Sequence, residues 1–133
     1  MNIPFIENMG IEAEENGSLC LPFNQKLLNH VGEIHASAQF TLAETQSGFY
    51  LELMFPQYRK KVVPLLRSAS VKYKHPATSD IYSVAKSSKR ALEKFESQFL
   101  KKGKGLIEVE VIVYDSDDMV TMIGEFVWFI SKI

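Results

Sequence analysis

Apolar and polar residues keep different rhythms in the two halves of the chain. Pro22 and Pro56 enclose thirty-three residues without a proline. Within that stretch Ala36–Phe55 has helical spacing. Ala36, Phe40, Ala43, Tyr50 and Met54 lie on one stripe, and Ser37, Thr41, Glu44, Thr45 and Glu52 fall roughly along another. Leu42, Phe49, Leu51 and Leu53 add apolar surface on the flanks. A helix apolar around most of its circumference is expected to be buried, and Pro56 stands where it should end. Ahead of it, Ser18–Phe23 alternates in part and predicts a short strand after a turn at Glu14-Glu15-Asn16-Gly17. The apolar residues of Met1–Gly17 fit no period over a useful length.

After Pro56 the period drops to two. Leu66–Lys74 sets Ala69, Val71 and Tyr73 against Ser68, Ser70, Lys72 and Lys74. Asp80–Lys86 is a shorter strand. Leu106–Tyr114 puts Ile107, Val109, Val111 and Val113 on one face, and Asp115–Asp118 is a turn. Met119–Ile130 is apolar on both faces, which predicts a central strand. Ser88–Lys102 is an amphipathic helix with the stripe Leu92, Phe95, Phe99. Ser87 or Ser88 is placed to cap its start and Gly103 to end it. The order is strand, long helix, two strands, short helix, two strands. It predicts an α+β domain with antiparallel strands around one long central helix.

Composition narrows the picture without naming a chemistry. The 133 residues suit a single domain. Fifteen basic and sixteen acidic side chains leave a net charge of −1, which argues against nucleic acid as a partner. No apolar run reaches the ~18 residues of a membrane span. The first seventeen residues carry four Glu and no Lys or Arg, unlike a signal peptide. One cysteine, Cys20, gives neither an intrachain disulfide nor a cysteine zinc site. A soluble, cytoplasmic chain is the expectation.

The chemistry-bearing stretch is Asn29-His30-Val31-Gly32-Glu33-Ile34-His35-Ala36-Ser37-Ala38-Gln39-Phe40-Thr41-Leu42-Ala43-Glu44. It resembles the hotdog-fold thioesterases, especially the phenylacetate-degradation type and related groups of unassigned function. Their pattern runs Asn, a few residues, Gly, His-Gly-Gly, two residues, Phe-Thr-Leu-Ala and an acid. Val71–Ala77 and the pair Leu106–Tyr114 and Met119–Ile130 are also similar to strands of that superfamily. The resemblance spans about residues 18–132. It implies a five- or six-stranded antiparallel sheet curled around the central helix, working as a homodimer or a dimer of dimers. Residues 1–17 then form an N-terminal extension and 87–103 a helical insertion.

The resemblance implies hydrolysis of acyl-CoA or a similar thioester, with coenzyme A as part of the substrate and no metal or other cofactor. Glu44 matches the family acid. Periodicity alone leaves it a carboxylate on a solvated stripe with Thr41 and Thr45. Ala36 matches the oxyanion amide, and exposed amides at a helix start suit that task. Eight residues of helix separate the two, roughly 12 Å, too far for one carbonyl to meet both. If both act, two helices related by a two-fold must supply them. Asn29 matches the side chain that orients the acid or polarises the carbonyl; it also reads as an ordinary loop cap. His35 matches the family histidine, in a role that supports the loop.

His35-Ala36-Ser37 replaces His-Gly-Gly, and Gly48 stands where some members carry a hydroxyl one turn after the acid. Ser37 would face the thioester. Gly103 and Lys104 align with the strand along the pantetheine arm, and Lys104 or Arg90 would meet a phosphate. Cations near a helix end are also common without a ligand. Phe40, Tyr50, Met54 and Trp128 either line an acyl pocket or fill the core. A domain that binds acyl-CoA without cleaving it is the alternative, and a purely structural domain the next.

Overall fold

A computed structural model describes residues 3–133. The elements run α1 (Pro4–Met9), β1 (Glu12–Ala13), β2 (Leu19–Leu21), α2 (Ala36–Met54), β3 (Val62–Tyr73), β4 (Ile81–Lys86), α3 (Lys89–Lys102), β5 (Lys104–Tyr114) and β6 (Val120–Lys132). The six strands form one sheet in the order β1-β2-β4-β5-β6-β3. Every neighbouring pair is antiparallel. α2 lies against the inner face, where Leu42 and Ala43 meet Ile107, Val109, Val111, Val113 and Phe126 in the core.

The expected strands and helices are present, with shifted ends. β3 starts four residues earlier than its alternation suggests and takes in Pro64. It is an edge strand, where a missing N–H costs least, and a bulge at Arg67 breaks its pairing to β6. The inner face of β3 still carries Ala69, Val71 and Tyr73, opposite Phe126, Gly124 and Met122. β6 lies between β5 and β3, as its two apolar faces require. The aperiodic first segment supplies α1 and the short edge strand β1. Ser88 Oγ accepts from the Ala91 amide at 3.0 Å to cap α3, and Gly103 ends it at φ +71°.

The faces of α2 differ from the expected stripes. Gln39, Thr41, Thr45, Gln46 and Ser47 are buried, while Leu53, Met54 and Ala36 are exposed. Thr41 and Thr45 therefore do not mark a solvated face. Gln39 and Gln46 are inside because the sheet gives them partners. Gln39 Oε1 accepts from Thr121 Oγ at 2.8 Å. Gln46 Oε1 accepts from the Leu19 amide and from Ser83 Oγ, both at 2.8 Å, and its Nε2 donates to the Gly17 carbonyl. Residue-type periodicity cannot distinguish such satisfied polar groups from wet ones.

Candidate active site

Glu44 stands near the middle of α2, on a half-buried part of its surface. It borders a cavity of about 380 Å³ between α2, α1, β3, β6 and α3. Most of the wall is apolar: Ile6, Phe49, Phe55, Tyr58, Phe95 and Trp128 contribute large side chains. Among the described residues no hydrogen bond or ion pair engages the Glu44 carboxylate. Burial among these groups pushes its pKa above the ordinary carboxylate range. An acid so placed holds a proton more readily than a surface acid, the direction that favours a general base.

Gly48 stands one turn on from Glu44. A Cβ there would come within 3.3 Å of Trp128 Cζ2. Trp128 is held over this position because its Nε1 donates to Ser47 Oγ at 2.9 Å, and Ser47 Oγ donates in turn to the Glu44 carbonyl at 2.6 Å. The indole thus takes the space that a side chain on residue 48 would use. Of the four residues suggested for a pocket, only Trp128 lines it. Phe40 packs on Phe126 with ring centroids 5.6 Å apart, Tyr50 Oη accepts from the Ser87 amide, and Met54 faces out.

The start of α2 is a second cluster of candidates. His35 is the N-cap: its Nδ1 accepts from the Ser37 amide at 3.0 Å. That bond requires an unprotonated Nδ1. The Asn29 Oδ1 accepts from the amides of Val31 and Glu33, each at 3.0 Å, so its carbonyl folds the loop. Ala36 is the first helical residue, and its carbonyl accepts from Tyr73 Oη at 3.1 Å. Among the described residues its amide has no acceptor, as expected of a helix start. Ser37 is exposed, and its carbonyl accepts from Thr41 Oγ.

Within one chain the cavity holds Glu44 but none of Asn29, His35, Ala36 or Ser37. Gly103, Lys104 and Arg90 are also outside it. Arg90 sits in the first turn of α3 and Lys104 just past its end. They are separated by roughly 18 Å of helix, so one phosphate cannot meet both. Phe49, Phe55, Tyr58, Phe95, Val62, Pro64 and the α1 residues are the lining that sequence reasoning missed. The stripe Leu92, Phe95, Phe99 was a signal for burial, but not for burial against the end of α2.

A six-stranded antiparallel sheet wrapped on a long helix is the hotdog fold. The chain belongs to the family described as "Domain of unknown function (DUF4442)", whose model matches residues 4–130. Comparison with curated protein sequences finds no match. Solved structures of the same fold include a Pseudomonas aeruginosa protein described as a "probable thioesterase". It is 23% identical, with a TM-score of 0.81 over 98% of this chain and 89% of that one. A Bacillus halodurans protein solved with CoA is 18% identical, with a TM-score of 0.77 over 98% and 77% of the two chains. A Haemophilus influenzae thioesterase is 12% identical, with a TM-score of 0.77 over 96% and 82%. No helix among the described residues is long and apolar enough to cross a membrane.

Proposed function

We propose that the protein hydrolyses acyl thioesters, with acyl-CoA as substrate and Glu44 as the base. The observation that carries this reading is an unpartnered, half-buried carboxylate at an apolar cavity in a hotdog fold. The neighbours named as thioesterases, and the one solved with CoA, support the same class. In the reaction, ionised Glu44 takes a proton from water as the water oxygen attacks the carbonyl carbon. The carbonyl oxygen becomes an oxyanion, and the Ala36 amide of a second copy donates to it. Collapse breaks the carbon–sulfur bond, and the thiolate takes up the proton.

Two copies are needed because Ala36 and Glu44 are roughly 12 Å apart on one helix. The free edge of β3 is the surface that would bring them together. It is twelve residues long and exposes Val63 and Leu65, 43% and 62% accessible. In this assembly Asn29 and His35 hold the loop that presents Ala36, Ser37 and Gly103 flank the thioester arm, and Lys104 or Arg90 meets a phosphate.

Thiol release from short-, medium-, long-chain and aromatic acyl-CoAs tests the reading. Glu44→Gln should lower turnover by ~10²-fold or more, the usual scale for losing a general base. Absence of turnover across the panel would defeat it. The non-hydrolysing alternative has one observation in its favour: residue 48 is a glycine with Trp128 packed over it, so that position offers no hydroxyl to hold water. It expects stoichiometric acyl-CoA binding that survives Glu44→Ala.

A further inference from the structure

The shape of the cavity says what kind of acyl group it suits, an inference that rests on the thioesterase reading. Its lining follows α2 from Glu44 past Gly48 and Leu51 to Phe55. Eleven residues of helix make that path about 16 Å long. Along it the walls are apolar, and the charged pair Glu52–Arg59, 4.0 Å apart, is exposed at the rim. A ring-shaped acyl group would fill only part of so long a slot. A dry cavity of ~150 Å³ takes one benzene. A space of about 380 Å³ is about two and a half times as large, which caps the chain at roughly fifteen carbons.

The end remote from Glu44 is closed by aromatic rings. Phe95 of α3 is fully buried, with its centroid 5.3 Å from that of Phe55 and 5.5 Å from that of Phe99. Tyr58 packs on both Phe55 and Phe99, at 5.9 and 4.6 Å. Phe95 also packs over Gly105. A Cβ on Gly105 would lie 3.1 Å from its ring and 3.2 Å from Gln98 Oε1. We propose that the site takes straight-chain acyl groups of roughly eight to twelve carbons, and that Phe95 is the residue that sets the upper limit. The thioester lies at Glu44 and the chain runs along α2 until its methyl end meets the Phe95 ring.

Two readouts test this separately from the hydrolase reading. The first is kcat/KM for acyl-CoAs from acetyl to palmitoyl. The expected maximum lies between octanoyl and dodecanoyl, with acetyl and palmitoyl at least ~10-fold lower, since each buried methylene adds to binding. A maximum at acetyl or butyryl, or rates that rise through to palmitoyl, would overturn the assignment and leave hydrolysis standing. Phe95→Leu and Phe95→Ala should move the longest well-hydrolysed chain up by two or more carbons. An unmoved profile in a variant with wild-type unfolding midpoint removes Phe95 as the stop; the leucine variant keeps enough bulk to fold.

The second readout needs no turnover. Trp128 is the single tryptophan and lines the slot. Its emission should respond to the same acyl-CoAs bound to Glu44→Gln, tightest from octanoyl to dodecanoyl. If no acyl-CoA is cleaved by the wild type, the hydrolase reading falls and this titration alone decides the slot. Binding without chain-length dependence, or no binding, overturns it.

Discussion

Glu44 and Gln46 are two residues apart on α2, on surfaces about 160° away from each other. Both are polar and both are withdrawn from water. Gln46 is buried with both ends of its amide bonded: it accepts twice and donates once, to β2, β4 and the turn before β2. Glu44 is half-buried with no partner among the described residues. The difference separates structure from chemistry on one helix. A polar group bonded at both ends holds the helix to the sheet. One with none made is destabilised in its charged form and is left available to a ligand.

The largest expected effect on this contrast comes from the satisfied side. Gln46→Leu leaves the Leu19 amide without its acceptor and the Gly17 carbonyl without its donor, while the Ser83 hydroxyl keeps only the Leu19 carbonyl at 3.4 Å; orphaned groups cost about 1–3 kcal/mol each. Urea unfolding should show a loss of about 3 kcal/mol, with turnover per folded molecule nearly unchanged. A loss of activity in folded protein would show that Gln46 does more than pin the helix. Ser47→Ala is a smaller test. It removes the acceptor of Trp128 Nε1, which should cost about 1 kcal/mol and shift the tryptophan emission.

Glu44→Gln should have the smallest effect on stability and the opposite sign. A raised carboxylate pKa means that the folded state binds the proton more tightly than the unfolded one. Wild-type stability therefore falls as pH rises from the ordinary carboxylate range through the raised value. The glutamine variant escapes that loss, so it should unfold slightly later than wild type at neutral pH. The gain should vanish in acid, where both forms are neutral. An earlier midpoint at neutral pH would mean that Glu44 has a stabilising partner and belongs with Gln46.

Much of the architecture was legible because β5 keeps a period of two, β6 is apolar on both faces and their turn is marked by acids. Asp115 Oδ1 accepts from the amides of Asp117 and Met119, both at 2.9 Å, as a turn-forming aspartate does. The hotdog resemblance rested on Asn29–Gly48, and the fold agrees with it. What could not be read was which polar residues of α2 were wet. Gln39 and Gln46 have the same periodicity whether they face solvent or Thr121 and Ser83. The cavity was equally hidden, since Phe95, Pro64 and Ile6 come from segments far apart in the chain. Trp128 was visible as a candidate, but its grip on Ser47 and its cover over Gly48 needed the register of β6.

The sheet order also carries a consequence in time. β6 lies between β5 and β3, yet follows both in the chain. Its partnership with β5 is a local hairpin, whereas Val62 of β3 must find Lys132, seventy residues on. Closing such a long loop is slow, because its entropy is lost before the contacts form. Until then β3 is a twelve-residue strand with no partner, and its bulge and Pro64 are the features that discourage a wrong one. Refolding of this chain should therefore wait on one late docking event, the arrival of β3 at a hairpin that is already made.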